Sequence, residues 1–61
     1  MIRFKTKIIF RDEKTEEYDS IGFPSFVDTY VEINVDGDLY EYIPKEAIDK
    51  ITVQRYWVDA S

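Results

Sequence analysis

The first ten residues alternate between apolar and polar side chains, which is the period-two pattern of a half-buried β-strand. Phe4, Ile8 and Phe10 fall on one face of this predicted strand. The opposite face carries a basic row, which consists of Arg3, Lys5 and Lys7. We expect the basic row to pair with acidic neighbouring strands and to protect a sheet edge against aggregation, because charged side chains commonly have that role.

The same alternation returns over residues 27–35 and predicts the clearest strand of the chain. An Asp36-Gly37 turn follows, and residues 39–43 are predicted to form the return strand. That strand ends at Pro44, because proline cannot donate a hydrogen bond to the sheet.

The remaining segments have weaker patterns. Residues 11–17 are a charged, solvated connection into a weak strand at residues 17–21. Glycine and proline make residues 20–26 irregular, and we expect the aromatic rings there to fold over one end of the core. Residues 44–49 make about one helical turn, and residues 50–58 form the last strand.

Together these elements predict one small all-β domain over residues 1–61, with one short helical turn before the last strand. The element order resembles that of the small five-stranded SH3-like barrels, and a bent, open antiparallel sheet is the alternative. We predict a single core built from Phe4, Ile8, Phe10, Val31, Ile33, Ile48, Ile51 and Val53.

The register of the hairpin at Asp36-Gly37 decides where Tyr40 and Tyr42 point. If Asp36-Gly37 is a two-residue loop, both tyrosines join the apolar face, and Glu32 lies directly opposite Glu41. Two like charges in that arrangement destabilise a sheet.

In the other register, Asn34-Val35-Asp36 begins a type I turn, and Gly37 takes the left-handed position in a three-residue loop that is closed by a bulge. We favour it, because asparagine at the first and glycine at the fourth position suit a type I turn and because it separates Glu32 from Glu41. The rings then point outward, with Tyr30 next to Tyr42 and Tyr40 beside Glu32. This outward surface is the candidate partner-binding site, and it consists of Tyr30, Glu32, Tyr40 and Tyr42.

Composition limits the classes of function. The net charge is −5, and residues 12–49 hold twelve acidic against two basic side chains, a net of −10. Nucleic-acid affinity comes largely from neutralising phosphates, so we expect no appreciable binding to duplex DNA at physiological salt. Charges interrupt the apolar residues of the first segment, which is typical of neither a signal peptide nor a membrane span. We expect a cytoplasmic protein without a membrane partner.

Catalytic and metal-binding signals are weak. The chain has neither histidine nor cysteine and only two glycines, which leaves no usual general base, thiol nucleophile, zinc site or phosphate loop. Residues 32–38 match the first half of a calcium-binding loop, but Ile43 stands where that loop needs glutamate. We therefore predict no catalytic residues, no metal site and no cofactor.

Two hypotheses of function remain. In the first, the protein is a non-enzymatic interaction module whose acidic, tyrosine-rich surface binds another protein. The alternative is a small barrel that binds single-stranded nucleic acid, with bases stacked on the tyrosines or Trp57 and the basic row Arg3, Lys5 and Lys7 along the backbone. We expect a monomer or a weak homodimer. In its small size, acidity and lack of cysteine the chain resembles accessory proteins of bacteria and their phages, which implies an accessory or inhibitory role.

Overall fold

The computed structural model describes residues 1–59 of the chain and consists almost entirely of β-strands. The strands are β1 (Ile2–Phe10), β2 (Thr15–Ser20), β3 (Ser25–Phe26), β4 (Tyr30–Asp36), β5 (Leu39–Pro44) and β6 (Ile48–Trp57). One 3₁₀ turn, η1 (Lys45–Ala47), lies directly before the last strand. The all-β prediction and the predicted helical turn are confirmed.

The six strands form two three-stranded antiparallel sheets. Sheet A has the order β2-β1-β6, and sheet B has the order β3-β4-β5. Over residues 1–59 no strand belongs to both sheets, so the sheets do not close into one barrel. The short strand β3 lies in the segment predicted to be irregular, where it pairs with Val31 and Glu32 of β4.

The core lies between the inner faces of the two sheets. Its fully or almost fully buried apolar residues are Ile8, Val31, Ile33 and Ile43. Five partly buried side chains pack against them, namely Phe10, Tyr18, Val35, Ile48 and Ile51. Ile8 and Ile33 are completely inaccessible to solvent, which places the tightest packing at the contact between sheet A and sheet B.

The predicted core needs correction at its ends. Phe4 and Val53 are only half-buried and lie outside this cluster, whereas Ile43 belongs to it. The far end of sheet A is open to solvent, because Ile2 and Trp57, which pair across β1 and β6, are 38% and 74% exposed. The ring of Phe23, in the loop after β2, covers Phe4. The two rings meet edge to face, with their centroids 5.6 Å apart.

Two buried polar residues lie on the inner face of sheet A. The Ser20 hydroxyl donates a hydrogen bond to the carbonyl of Gly22 at 2.8 Å. The Thr6 hydroxyl is also completely buried, and it has no hydrogen-bond partner among residues 1–59. Burying an unpaired hydroxyl costs free energy, so Thr6 is a weak point of the packing.

Over residues 1–59, no helical segment has the length and apolar character that crossing a bilayer requires.

Candidate functional site

The β4–β5 hairpin has a register that differs from both predicted ones. Glu32 lies opposite Tyr42, Asn34 opposite Tyr40, and Asp36 opposite Leu39. Val35 is the extra residue of a bulge between Asn34 and Asp36. The loop between the paired residues Asp36 and Leu39 is Gly37-Asp38, and Gly37 has a φ of 54°.

Packing explains why this register is stable. It sets Val31 directly opposite Ile43, and both are buried in the core. It also separates Glu32 from Glu41, because Glu41 now lies opposite Ile33 and remains exposed at the rim of the inner face. The bulge allows the half-buried Val35 to pack against the core as well. The apolar contacts and the separation of like charges together favour this pairing.

The side chains of Tyr30, Tyr40 and Tyr42 form what we call the tyrosine cluster, on the outer face of sheet B. The rings of Tyr30 and Tyr42 meet edge to face with centroids 5.3 Å apart, and those of Tyr40 and Tyr42 stack at 6.5 Å. The exposed fractions of Tyr30, Tyr40 and Tyr42 are 36%, 44% and 56%. The rings therefore support each other while remaining available to a partner.

Glu32 borders the tyrosine cluster next to Tyr42. We expected Glu32 beside Tyr40, and the observed register corrects this by placing Asn34 opposite Tyr40. Desolvation and the neighbouring Glu32 carboxylate raise the pKa of Tyr42. The cluster thus combines aromatic faces with a negative charge.

An open depression of about 500 Å³ adjoins the cluster, between the start of β4 and the 3₁₀ turn. It is lined by Thr29, Tyr30, Tyr42, Pro44 and Glu46. The backbone N–H of Lys45 donates to the carbonyl of Thr29 at 3.0 Å and so fixes η1 beside β4. Glu46 thereby supplies a second carboxylate at the border of the tyrosine cluster.

The basic row lies on the outer face of sheet A, where acidic and aromatic residues of the neighbouring strands accompany it. Arg3 Nε donates to Asp19 Oδ1 at 2.7 Å, and the Tyr56 hydroxyl donates to the other oxygen of Asp19. Hydrogen bonds from Tyr56 and Arg3 lower the pKa of the Asp19 carboxyl. The Lys5 ammonium lies 5.6 Å from the centroid of the Tyr56 ring.

Lys7, the third member of the basic row, lies opposite Glu17 of β2. Acidic residues of β2 therefore lie beside the basic row. This agrees with the expectation that the basic row pairs with acidic side chains of a neighbouring strand. Asp19 and Tyr56 were not predicted to be neighbours of the basic row. Tyr56 comes from β6, which is distant from β1 in the sequence, and the place of Asp19 depends on the register of the β1–β2 hairpin. The only available signal was therefore the alternation of acidic residues in β2.

The two candidate surfaces face away from each other. The sheets pack through their inner faces, and the tyrosine cluster and the basic row occupy the two outer faces. A ligand that used both would have to pass around an edge of the molecule. Within residues 1–59, no three histidine, cysteine, aspartate or glutamate side chains converge to form a metal-binding group.

Comparisons with known proteins give no match: no protein-family model matches the chain, and no curated protein or solved structure is significantly similar to it.

Proposed function

We propose that the protein is a non-enzymatic interaction module that binds another protein through the tyrosine cluster, as an accessory or inhibitory factor. The observation that carries the proposal is the contact of the exposed Tyr42 ring with the exposed rings of Tyr30 and Tyr40 on one hairpin. Tyrosine supplies a large contact area for a small loss of side-chain entropy, and it is enriched among the residues that dominate binding energy.

The chemistry around the rings favours a basic partner. Glu32 and Glu46 border the cluster, and the chain as a whole carries a net charge of −5. An arginine or lysine side chain placed over a tyrosine ring gains a cation–π interaction, and a nearby carboxylate strengthens the binding of that cation. We therefore propose that the partner presents an arginine- or lysine-bearing segment to this surface.

Single-stranded nucleic acid has weaker support. Stacked bases on the tyrosine cluster would need phosphate contacts nearby, but the basic row lies on the other outer face, with Arg3 bound to Asp19. The carboxylates of Glu32 and Glu46 would repel phosphate at the cluster itself. We also retain the SH3-like arrangement as a hypothesis, on the basis of the element order and the 3₁₀ turn before β6.

The binding surface can be mapped by nuclear magnetic resonance with a short arginine-containing peptide as the probe. We expect the peptide to shift the backbone signals of Tyr30, Glu32, Tyr40 and Tyr42, and a matched peptide with glutamine in place of arginine to leave them unchanged. Tyr30→Ser/Tyr42→Ser should abolish the shifts. Tyr56→Phe, on the opposite outer face, is the matched control and should retain them.

Two other results would contradict the proposal. Shifts spread evenly over all acidic segments would indicate non-specific charge attraction and no defined site. Stronger binding of a single-stranded oligonucleotide, with shifts at Arg3, Lys5 and Lys7, would favour the nucleic-acid hypothesis. If the peptide shifts map to the tyrosine cluster, the natural partner can be identified by comparing the proteins that the wild type and the Tyr30→Ser/Tyr42→Ser variant retain from a lysate.

A further inference from the structure

The inner face of sheet A is only partly covered by sheet B. Its covered part holds the buried Ile8. Toward the opposite end of the sheet, the pairing of β1 with β6 places Phe4 opposite Arg55 and Ile2 opposite Trp57. Because side chains alternate between the two faces of a strand, these four residues lie on the same face as Ile8. We call this uncovered part, which consists of Ile2, Phe4, Arg55 and Trp57, the open face.

The open face is largely apolar and accessible to solvent. Trp57 is 74% exposed, the highest value for a large apolar side chain within residues 1–59, and Ile2 is 38% exposed. The ring of Phe23, which is 60% exposed, extends the apolar surface beside Phe4. A contiguous apolar patch that a folded chain leaves exposed is typical of an interaction surface.

The dimensions of the molecule also indicate incomplete packing. The chain is elongated, 40 Å by 21 Å by 14 Å, and it exposes 4589 Å² of surface. A folded monomer of 7.3 kDa exposes about 4,200 Å². The additional surface agrees with a sheet that extends past the sheet packed on it. A second apolar layer over the open face would complete the packing.

One charged side chain lies within this apolar surface. Arg55 is the only charged residue that β1 and β6 place on their inner face. It is exposed, and within residues 1–59 it neither forms an ion pair nor lies over an aromatic ring. A guanidinium that is desolvated by a partner needs a carboxylate or an aromatic ring in contact with it. Trp57, two residues further along the same face, offers the aromatic side chain that binds cations best.

We propose that two copies of this chain associate through their open faces, related by a two-fold axis that brings Arg55 of each copy onto the Trp57 ring of the other. A symmetric interface requires that one patch supply both halves of every contact, and the open face does so. Because Ile2 and Phe4 are the β1 partners of these two residues, the same axis sets Ile2 of each copy against Phe4 of the other. The copies would then pack sheet against sheet, as sheet A packs on sheet B.

The expected dimer is weak. The open face contains few side chains compared with the roughly 20–30 residues that each partner contributes to a standard interface. We therefore expect a dissociation constant of about 0.1 mM. The tyrosine cluster lies on the outer face of sheet B and takes no part in this interface, so the proposal is independent of the proposed function.

Sedimentation velocity over a range of protein concentrations tests the two symmetric contacts. Arg55→Gln and Trp57→Leu each remove one half of both contacts, and each should weaken dimerisation about tenfold. Leucine keeps the position apolar, so a loss in Trp57→Leu reports the aromatic ring. Lys50→Gln is the matched control, because it removes one positive charge from the outer face of the same strand. It should dimerise like the wild type, and circular dichroism identifies any variant that fails to fold.

Two spectroscopic measurements locate the interface. Trp57 is the only tryptophan, and its emission should move to shorter wavelength as the concentration of the wild type or of Lys50→Gln rises. In a mixture of isotope-labelled and unlabelled chains, nuclear Overhauser effects between copies should join Trp57 to Arg55 and Ile2 to Phe4.

Several results would overturn the proposal. One is a wild type that stays monomeric at ~1 mM, tenfold above the expected dissociation constant. Another is equal weakening by Arg55→Gln and Lys50→Gln, and a third is contact between copies at the tyrosine cluster or along the backbone edge of β6. An emission shift that required phosphatidylglycerol vesicles, in a protein that stayed monomeric, would assign the open face to a lipid surface instead.

Discussion

Tyr30 and Tyr42 meet edge to face on the outer side of sheet B, with ring centroids 5.3 Å apart and planes inclined at 73°. The two residues are not directly opposite each other, because Tyr30 pairs with Pro44 and Tyr42 with Glu32. The contact is therefore diagonal across the hairpin, within the reach of aromatic side chains. It holds the centre of the proposed binding surface in place.

Replacement of these tyrosines should cost little stability. We expect Tyr30→Ser and Tyr42→Ser each to lower the free energy of unfolding by about 1 kcal/mol, since they lose an exposed aromatic pair and no core contact. Ile33→Ala, in the core, should cost about 3 kcal/mol. Urea unfolding of the three variants measures the difference. Losses of similar size at all three positions would show that the rings belong to the core.

The Asp19 carboxylate, which accepts hydrogen bonds from Arg3 and Tyr56, should make the stability of the fold depend on pH. Folding lowers the pKa of the Asp19 carboxyl below its unfolded-state value of about 3.9. Such a carboxyl stabilises the fold fully above the unfolded-state pKa, and this stabilisation is lost as the pH falls through the folded-state pKa. Asp19→Asn should therefore lower the melting temperature at pH 7, and the difference from the wild type should narrow below about pH 4.

Tyr56→Phe tests the origin of this pH dependence. The variant removes the hydroxyl that donates to Asp19 and leaves the ion pair between Arg3 and Asp19 in place. We expect the melting temperature at pH 7 to fall less than in Asp19→Asn. The loss of stability in acid should begin at higher pH than in the wild type, because the pKa of Asp19 is then lowered less. If the difference in melting temperature between Asp19→Asn and the wild type stayed constant from pH 7 to pH 3, the hydrogen bonds to Asp19 would not be the source of the pH dependence.

The two glycines provide a matched test of the hairpin turn. Gly37 has a φ of 54°, whereas Gly22 does not have a positive φ, and a Cβ atom at either position would meet nothing within 4 Å. Gly37→Ala should destabilise the protein by about 1 kcal/mol, because an L-residue is strained at positive φ. Gly22→Ala should be neutral or stabilising by up to about 1 kcal/mol. Thermal melts that showed equal effects would contradict the assigned turn.

Removing the buried hydroxyls of Thr6 and Ser20 should change the free energy of unfolding in opposite directions. Thr6→Val removes an unpartnered buried hydroxyl at nearly constant volume, and we expect a gain of about 1 kcal/mol. Ser20→Ala removes the donor to the Gly22 carbonyl and should lose about 1 kcal/mol. Chemical denaturation compares the two variants. A loss in Thr6→Val would mean that its hydroxyl is hydrogen-bonded in solution.

The sequence by itself determined every strand except the two-residue β3, and it determined which side chains of a strand share a face. Successive side chains of a strand point to opposite sides, so the alternation in β1 and β4 is a local property of the chain. For the same reason, the outward direction of Tyr40 and Tyr42 follows once Ile43 is buried. Pro44 likewise marked the end of β5 and the start of the helical turn, because its ring fixes φ and removes a donor.

Only the tertiary structure decided the register, the number of sheets and the neighbours of each charged residue. The bulge at Val35 allows Val31 to pack on Ile43, and this gain depends on a core that includes β1, far away in the sequence. Asp19 meets Arg3 because β2 pairs with β1 in one particular register. Such choices depend on small differences in packing and charge between distant segments, which local alternation does not encode.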